Sequence, residues 1–204
     1  MQRLLIDRIC QEKGISNKYL ITRLIGEGIY EPLIQQIKPN DQPTVLVFPS
    51  GQFMDVSFAD ETIIRLGQDY ETGKYGKGTL ILHNLSTDSL HNIEAAINLQ
   101  KLKLAFISTQ NDGSWSLVGQ LEQSLRDTLL LVEQNKLITA PALSKILNLA
   151  INSASNRLKR LYDQRLLRRE FEITENGLQY TYYFWIDDNY FAVSNVNDEI
   201  ISNE

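Results

Sequence analysis

The sequence predicts an α/β domain with a mixed sheet and covering helices, followed by a smaller α+β domain. Three observations lead there. Short apolar runs alternate with helical spacing between residues 44 and 107, and residues 139–185 give two helices and then two strands. Positive charge gathers in the second region alone. At 204 residues, 43% hydrophobic and 22% charged, the chain is long enough for two modest cores.

Residues 2–37 have a helical pattern interrupted at Gly14, Gly26 and Gly28. Asn40-Asp41-Gln42-Pro43 supplies a turn, after which Thr44-Val45-Leu46-Val47-Phe48 is a near-continuous apolar run, as in a strand covered on both faces. Pro49-Ser50-Gly51 ends it, and residues 57–66 return to helical spacing through Phe58, Ile63, Ile64 and Leu66. A loop at 73–78 leads to a second buried strand, Thr79-Leu80-Ile81-Leu82-His83. A helix over 87–99 follows, entered through Ser86 or Thr87 as N-cap, and then a third strand over 102–107. Strands alternating with helices at this spacing form βαβ units, hence a parallel or mixed sheet. The turn Asn111-Asp112-Gly113-Ser114 is expected to close this domain, and 115–135 reads as one longer helix. The expected organisation is therefore 1–112, 113–190 and an acidic tail at 191–204.

In the second domain, 141–147 reads as a short helix with Leu143, Ile146 and Leu147 on one face, entered through Thr139 as N-cap. Residues 148–151 are the turn. A further helix from about Asn152 places Ala154, Leu158 and Leu161 at i, i+4 and i+7, a buried stripe. Its outer face carries Ser153, Ser155, Asn156, Arg157, Lys159 and Arg160, residue types that reach base edges and phosphates from a helix in the major groove. Strands over 168–173 and 179–185 flank Glu175-Asn176-Gly177, whose Asn-Gly pair signals a hairpin.

Ala142-Leu143-Ser144-Lys145-Ile146-Leu147, the helix over 152–161 and the closing Gln164-Arg165-Leu166-Leu167-Arg168-Arg169 resemble the winged helix-turn-helix of bacterial repressors. The resemblance covers about sixty residues. It implies a transcriptional regulator that binds double-stranded DNA, probed by the recognition helix and by the basic strand start Arg168-Arg169, and working as a homodimer on a two-fold-related site. Glu172 and Glu175 depart from it, since acidic residues in the wing repel phosphate. Tyr180, Tyr182, Tyr183, Phe184 and Trp185 read either as a base-stacking strip or as alternating core and edge residues of a strand.

The charge distribution agrees with a nucleic-acid face. Residues 136–170 hold Lys136, Lys145, Arg157, Lys159, Arg160, Arg165, Arg168 and Arg169 against Asp163 and Glu170, a local +6 in a chain of net −5. The remainder therefore carries −11. Winged helices also dock proteins, so a partner-switching interaction module that does not bind DNA stands as the alternative.

In the first domain, Ser57-Phe58-Ala59-Asp60-Glu61, set just after the strand at 44–48, resembles STAS-like domains of unknown function with a Ser-Phe-Ala-Asp-Glu helix start. Thr22-Arg23 with Gly26 upstream and the strand–helix–strand downstream fit the same pattern, over roughly residues 19–107. STAS domains of the anti-anti-sigma type carry, at the place of Asp55-Val56-Ser57, a serine phosphorylated by a histidine-kinase-like ATPase. The resemblance thus implies a regulatory domain, with Ser57 as a candidate phosphorylation site and such an ATPase as a candidate partner. From the residues alone, the favoured reading of Ser57 is an N-cap with Asp60 and Glu61 in the first turn.

Catalytic readings find no support. His83, His91 and Cys10 cannot assemble a standard His/Cys zinc site, and no Gly-x-Ser-x-Gly elbow is present. Gly73-Lys74-Tyr75-Gly76-Lys77-Gly78 precedes a strand, whereas phosphate loops follow one and open a helix. The expectation is a non-enzymatic protein without metal or cofactor. One cysteine cannot form an internal disulfide, and no apolar run approaches the roughly 18 residues of a membrane span, which together suit a cytoplasmic protein.

Overall fold

Five segments build the main sheet in the computed structural model, which describes residues 1–175, 177–186 and 190. The chain divides into two compact units, residues 1–122 with 163–166, and residues 123–162 with the chain from 167 onward.

The first unit begins with β1 (Gln2–Leu5), α1 (Ile6–Lys13), β2 (Tyr19–Leu20), α2 (Arg23–Gln36), β3 (Thr44–Val47) and β4 (Phe53–Met54). Next comes a continuous helical stretch made of α3 (Val56–Ala59), a π-helical turn (Asp60–Ile64) and α4 (Arg65–Glu71). The unit closes with β5 (Leu80–His83), α5 (Thr87–Leu99), β6 (Ala105–Thr109) and β7 (Trp115–Gly119). The sheet order is β1-β3-β5-β6-β7, all parallel except antiparallel β7, while β2 and β4 form a separate parallel pair. This is the mixed α/β sheet that the alternating pattern predicts.

Period-two side-chain alternation explains the core. Leu46, Leu82, Phe106 and Val118 project from one sheet face and join Ile29, Leu33, Phe58, Ile63, Ile93 and Ile97 from the helices in one buried cluster. Each such side chain contributes roughly 1.5–3 kcal/mol by leaving water. Val45, Ile81 and Ile107 lie side by side on the other face and are also without exposed surface, as the near-continuous apolar runs require.

Three expectations are corrected here. The helical pattern over 2–37 is really strand, helix, strand, helix: β1 pairs with β3, 42 residues along the chain, and no local signal reports so distant a partner. Gly26 is no breaker but lies inside α2, where a Cβ would come within 2.8 Å of the Glu61 Cβ, so only glycine lets the π turn approach. Residues 115–135 are not one helix. Trp115 to Gly119 alternate in exposure and pair with β6 through a tight turn in which Gly113 takes φ 84°. That strand completes the sheet, so the first unit runs to 122 and not to 112.

The second unit runs α6 (Gln123–Asn135), β8 (Leu137–Thr139), α7 (Ala140–Leu147), α8 (Ile151–Asp163), β9 (Leu167–Thr174) and β10 (Gly177–Phe184). Its three strands pair antiparallel in the order β8-β10-β9. Helix, strand, two helices and a hairpin closing on the first strand give the α+β arrangement expected of this region. Leu125, Leu129, Val132, Ile138, Leu143, Ala154, Leu158, Leu161 and Leu167 are among its buried aliphatic residues. β8 was absent from the sequence expectation because three residues carry too little period to be seen, and their partners, 181–183, are also distant. Within the expected hairpin turn Asn176 lies outside the described residues, as do 187–189 and the acidic tail at 191–204.

Candidate nucleic-acid interface

The helix-turn-helix is built by local chemistry. Thr139 Oγ1 accepts from the Ala142 N–H at 3.4 Å, and Pro141 sits in the first turn of α7, where its missing N–H is no loss. Asn148, in the left-handed region at φ 50°, ends α7. The turn is then locked from both sides. The Leu149 N–H donates to the Ser144 carbonyl at 3.0 Å, and the Ser144 hydroxyl donates to the Leu149 carbonyl at 2.6 Å. α8 follows with Ala154, Leu158 and Leu161 fully buried, as its spacing predicts. Of the expected apolar face of α7, Leu143 is buried but Ile146 is half exposed, at 50%.

The buried stripe fixes what α8 turns outward. At about 100° per residue, Asn156 lies opposite the stripe, with Asn152 one turn before it. Lys159 and Arg160 fall to either side of that line, Ser153 lies beside Arg160, and all five residues are exposed. Among the described residues, no side-chain hydrogen bond engages Asn152, Ser153 or Asn156. Asn152 was missing from the sequence-derived set; its position four residues before Asn156 is the signal that could have found it.

The other expected DNA contacts are placed differently. Arg157 Nη1 donates to the Ser124 carbonyl at 3.5 Å, so this cation leans on the start of α6 and leaves the outward face. Ser155 is half-buried and lines a groove of about 300 Å³ with Pro141, Ile151, Leu178, Gln179 and Tyr180. Arg169 stacks between two rings, 4.0 Å from the Tyr162 centroid and 4.3 Å from that of Tyr180. Arg168 stacks on Tyr183 at 4.7 Å and pairs with Glu170 at 3.4 Å. Arg169 lies opposite Tyr182 and Arg168 opposite Tyr183, so successive residues put the two cations on opposite faces of the hairpin.

The hairpin itself is apolar on one face. The cross-strand pairs Phe171–Tyr180 and Ile173–Leu178 share it, and Phe171, Ile173 and Leu178 are 68%, 85% and 55% exposed. Glu170 and Glu172 occupy the other face. Tyr182, Phe184 and Trp185 are buried while Tyr180 and Tyr183 are half-buried, which makes the aromatic run mainly core and edge.

Around Ser57, Asp55 takes the capping role. Its Oδ1 accepts from the Phe58 N–H at 2.7 Å and its Oδ2 from the Thr22 N–H at 3.1 Å, which corrects the reading of Ser57 as the N-cap. Ser57, the second residue of α3, is half-buried. Of the rest of the pentad, Phe58 and Ala59 enter the core, and Asp60 and Glu61 each hold Arg23 at 2.7 Å. Gln100 also donates to Asp60. The hydrogen bonds from Arg23 to Glu61 and Asp60 raise the guanidinium pKa further.

His83 is buried, with Nδ1 2.9 Å from Thr109 Oγ1 and Nε2 3.0 Å from Asn111 Oδ1, so both ring nitrogens face neutral partners. Among the described residues no group of three His, Cys, Asp or Glu side chains could hold a metal ion, and no helix is long and apolar enough to cross a membrane.

In comparisons with known proteins, no family model matches the chain and no curated protein matches it. A solved structure described as a possible transcriptional regulator from Methanosarcina mazei Go1 is 22% identical, covers 41% of this chain and 69% of its own, and superposes with a TM-score of 0.30.

Proposed function

We propose that the protein binds double-stranded DNA through α8 and regulates transcription by binding, without catalysis. One observation carries this reading. The outward face of α8 holds three polar side chains with no hydrogen-bond partner among the described residues, flanked by Lys159 and Arg160. Amides and hydroxyls suit base edges, and flanking cations suit the two phosphate backbones. A homodimer would bring two α8 helices to the halves of a two-fold site. The STAS-like resemblance assigns the first unit a regulatory part, with Ser57 and a histidine-kinase-like ATPase as candidate input.

The test is a titration of duplex DNA at several salt concentrations. Binding that weakens with salt, with a slope reduced by about two in the double variant Lys159→Ala, Arg160→Ala, supports the reading. Absence of binding at low salt, or an unchanged slope in the variant, refutes it.

A second reading has an observation of its own. The exposed apolar face of the hairpin is unusual for a wing that touches phosphate, and suits protein docking. In that case the unit is an interaction module and duplex DNA leaves it untouched.

A further inference from the structure

In its first two turns the centre line of the α8 outward face is made of amides. Asn152 and Asn156 occupy it, exposed and one turn apart, in the first half of the helix. It is the N-terminal residues of a recognition helix that contact base edges. Reading guanine calls for Arg or Lys aimed at O6 and N7. Arg157 is turned away to the Ser124 carbonyl, and Lys159 and Arg160 lie to the sides of the line, where backbone phosphates would run. Asp163 closes the same face about 10 Å beyond Asn156, and its carboxylate bounds the contact to the earlier turns.

A carboxamide carries an acceptor and a donor side by side, matching the N6 donor and N7 acceptor of adenine in the major groove. Resting on the duplex-binding reading, we infer that Asn152 and Asn156 each read an adenine, so that every half-site carries two A·T pairs. Four residues of helix rise about 6 Å, close to two base steps of about 3.4 Å, so the two pairs stand about two steps apart. Ser153, beside them, tolerates either kind of pair. The sequence preference of this protein is therefore set by two neutral residues, and its affinity by the cations around them.

The experiment is selection of bound duplexes from a randomised library by the full chain, followed by titration of the winners. Two enriched A·T positions about two steps apart are expected. Replacing either with G·C should weaken the wild type about 5- to 150-fold. Asn156→Ala should bind the A·T and G·C versions of its position alike, and Asn152→Ala should do the same at the other. Lys159→Ala with Arg160→Ala should weaken binding to every duplex and leave the preference intact. Both asparagines are exposed, so their variants should keep the wild-type melting profile. Salt-dependent binding without the two A·T positions, or a preference that survives both asparagine variants, overturns the inference and leaves duplex binding standing. Failure to bind any duplex at low salt overturns both.

Discussion

Arg157 on α8 donates to the carbonyl of Ser124 in the first turn of α6, a bond of 3.5 Å between two helices. In the sequence an arginine at this place in α8 reads as a DNA contact, and in the structure its guanidinium reaches the α6 backbone. Arg157→Ala is expected to lower stability by about 0.5–1.5 kcal/mol. The salt slope of duplex binding should stay at its wild-type value. Urea midpoints and a salt series on the same variant check both halves.

Arg169 is the second basic residue with a structural task. Stacked between Tyr162 of α8 and Tyr180 of β10, it ties the hairpin to the helix. Cation–π contacts of this kind are worth roughly 0.5–2 kcal/mol each. Arg169→Ala should therefore lower the thermal midpoint and loosen the hairpin, seen as faster amide exchange in β9 and β10. Arg169→Lys should recover only part of the loss, because a compact ammonium cannot lie flat on two rings.

These two arginines mark where sequence reading stopped. Near-continuous apolar runs revealed β3 and β5, spacing near 3.6 revealed α7 and α8, an N-cap signal marked α5, and the Asn-Gly pair marked the hairpin, each a signal carried by neighbouring residues. β1 and β8 escaped, since their partners are far along the chain and their few residues hold no pattern. β7 was lost because Trp115 to Gly119 run close to α6 and merge with its apolar spacing. In the candidate site the charge excess was legible, but the direction of each cation was not. Whether Arg157 faces a groove or a neighbouring carbonyl depends on where α6 lies, and that is a tertiary fact. Asn156 was in the expected set, whereas Asn152, uncharged and at the start of the helix, was passed over by the same emphasis on charge.

The pair Asp55 and Ser57 offers a test of which residue starts the helix. Asp55 satisfies the Phe58 and Thr22 N–H groups together, whereas no side-chain bond engages Ser57 among the described residues. Asp55→Ala should destabilise by about 0.5–2 kcal/mol, the usual value of an N-cap. Ser57→Ala should stay within about 0.5 kcal/mol of wild type. Chemical denaturation of the two variants decides it, and equal losses would return the cap to Ser57.

Acid sensitivity should centre on Asp69 at the end of α4. Its Oδ2 accepts from Tyr30 at 2.6 Å, Lys74 at 2.7 Å and Tyr75 at 3.3 Å. Burial alone raises the carboxyl, but these donors overcome it and hold Asp69 below the ordinary carboxylate value. A depressed folded pKa means that the unfolded chain takes up the proton first as the pH drops. The stabilisation is complete above about pH 5, begins to fall near the unfolded value of about 3.9 and is lost as the pH drops through the lower folded value. Asp69→Asn should be less stable than wild type at pH 7. The gap should narrow steadily between pH 5 and pH 3, measured as urea midpoints across the range. A constant gap would mean that Asp69 contributes through packing and neutral hydrogen bonds, with its charge playing no part.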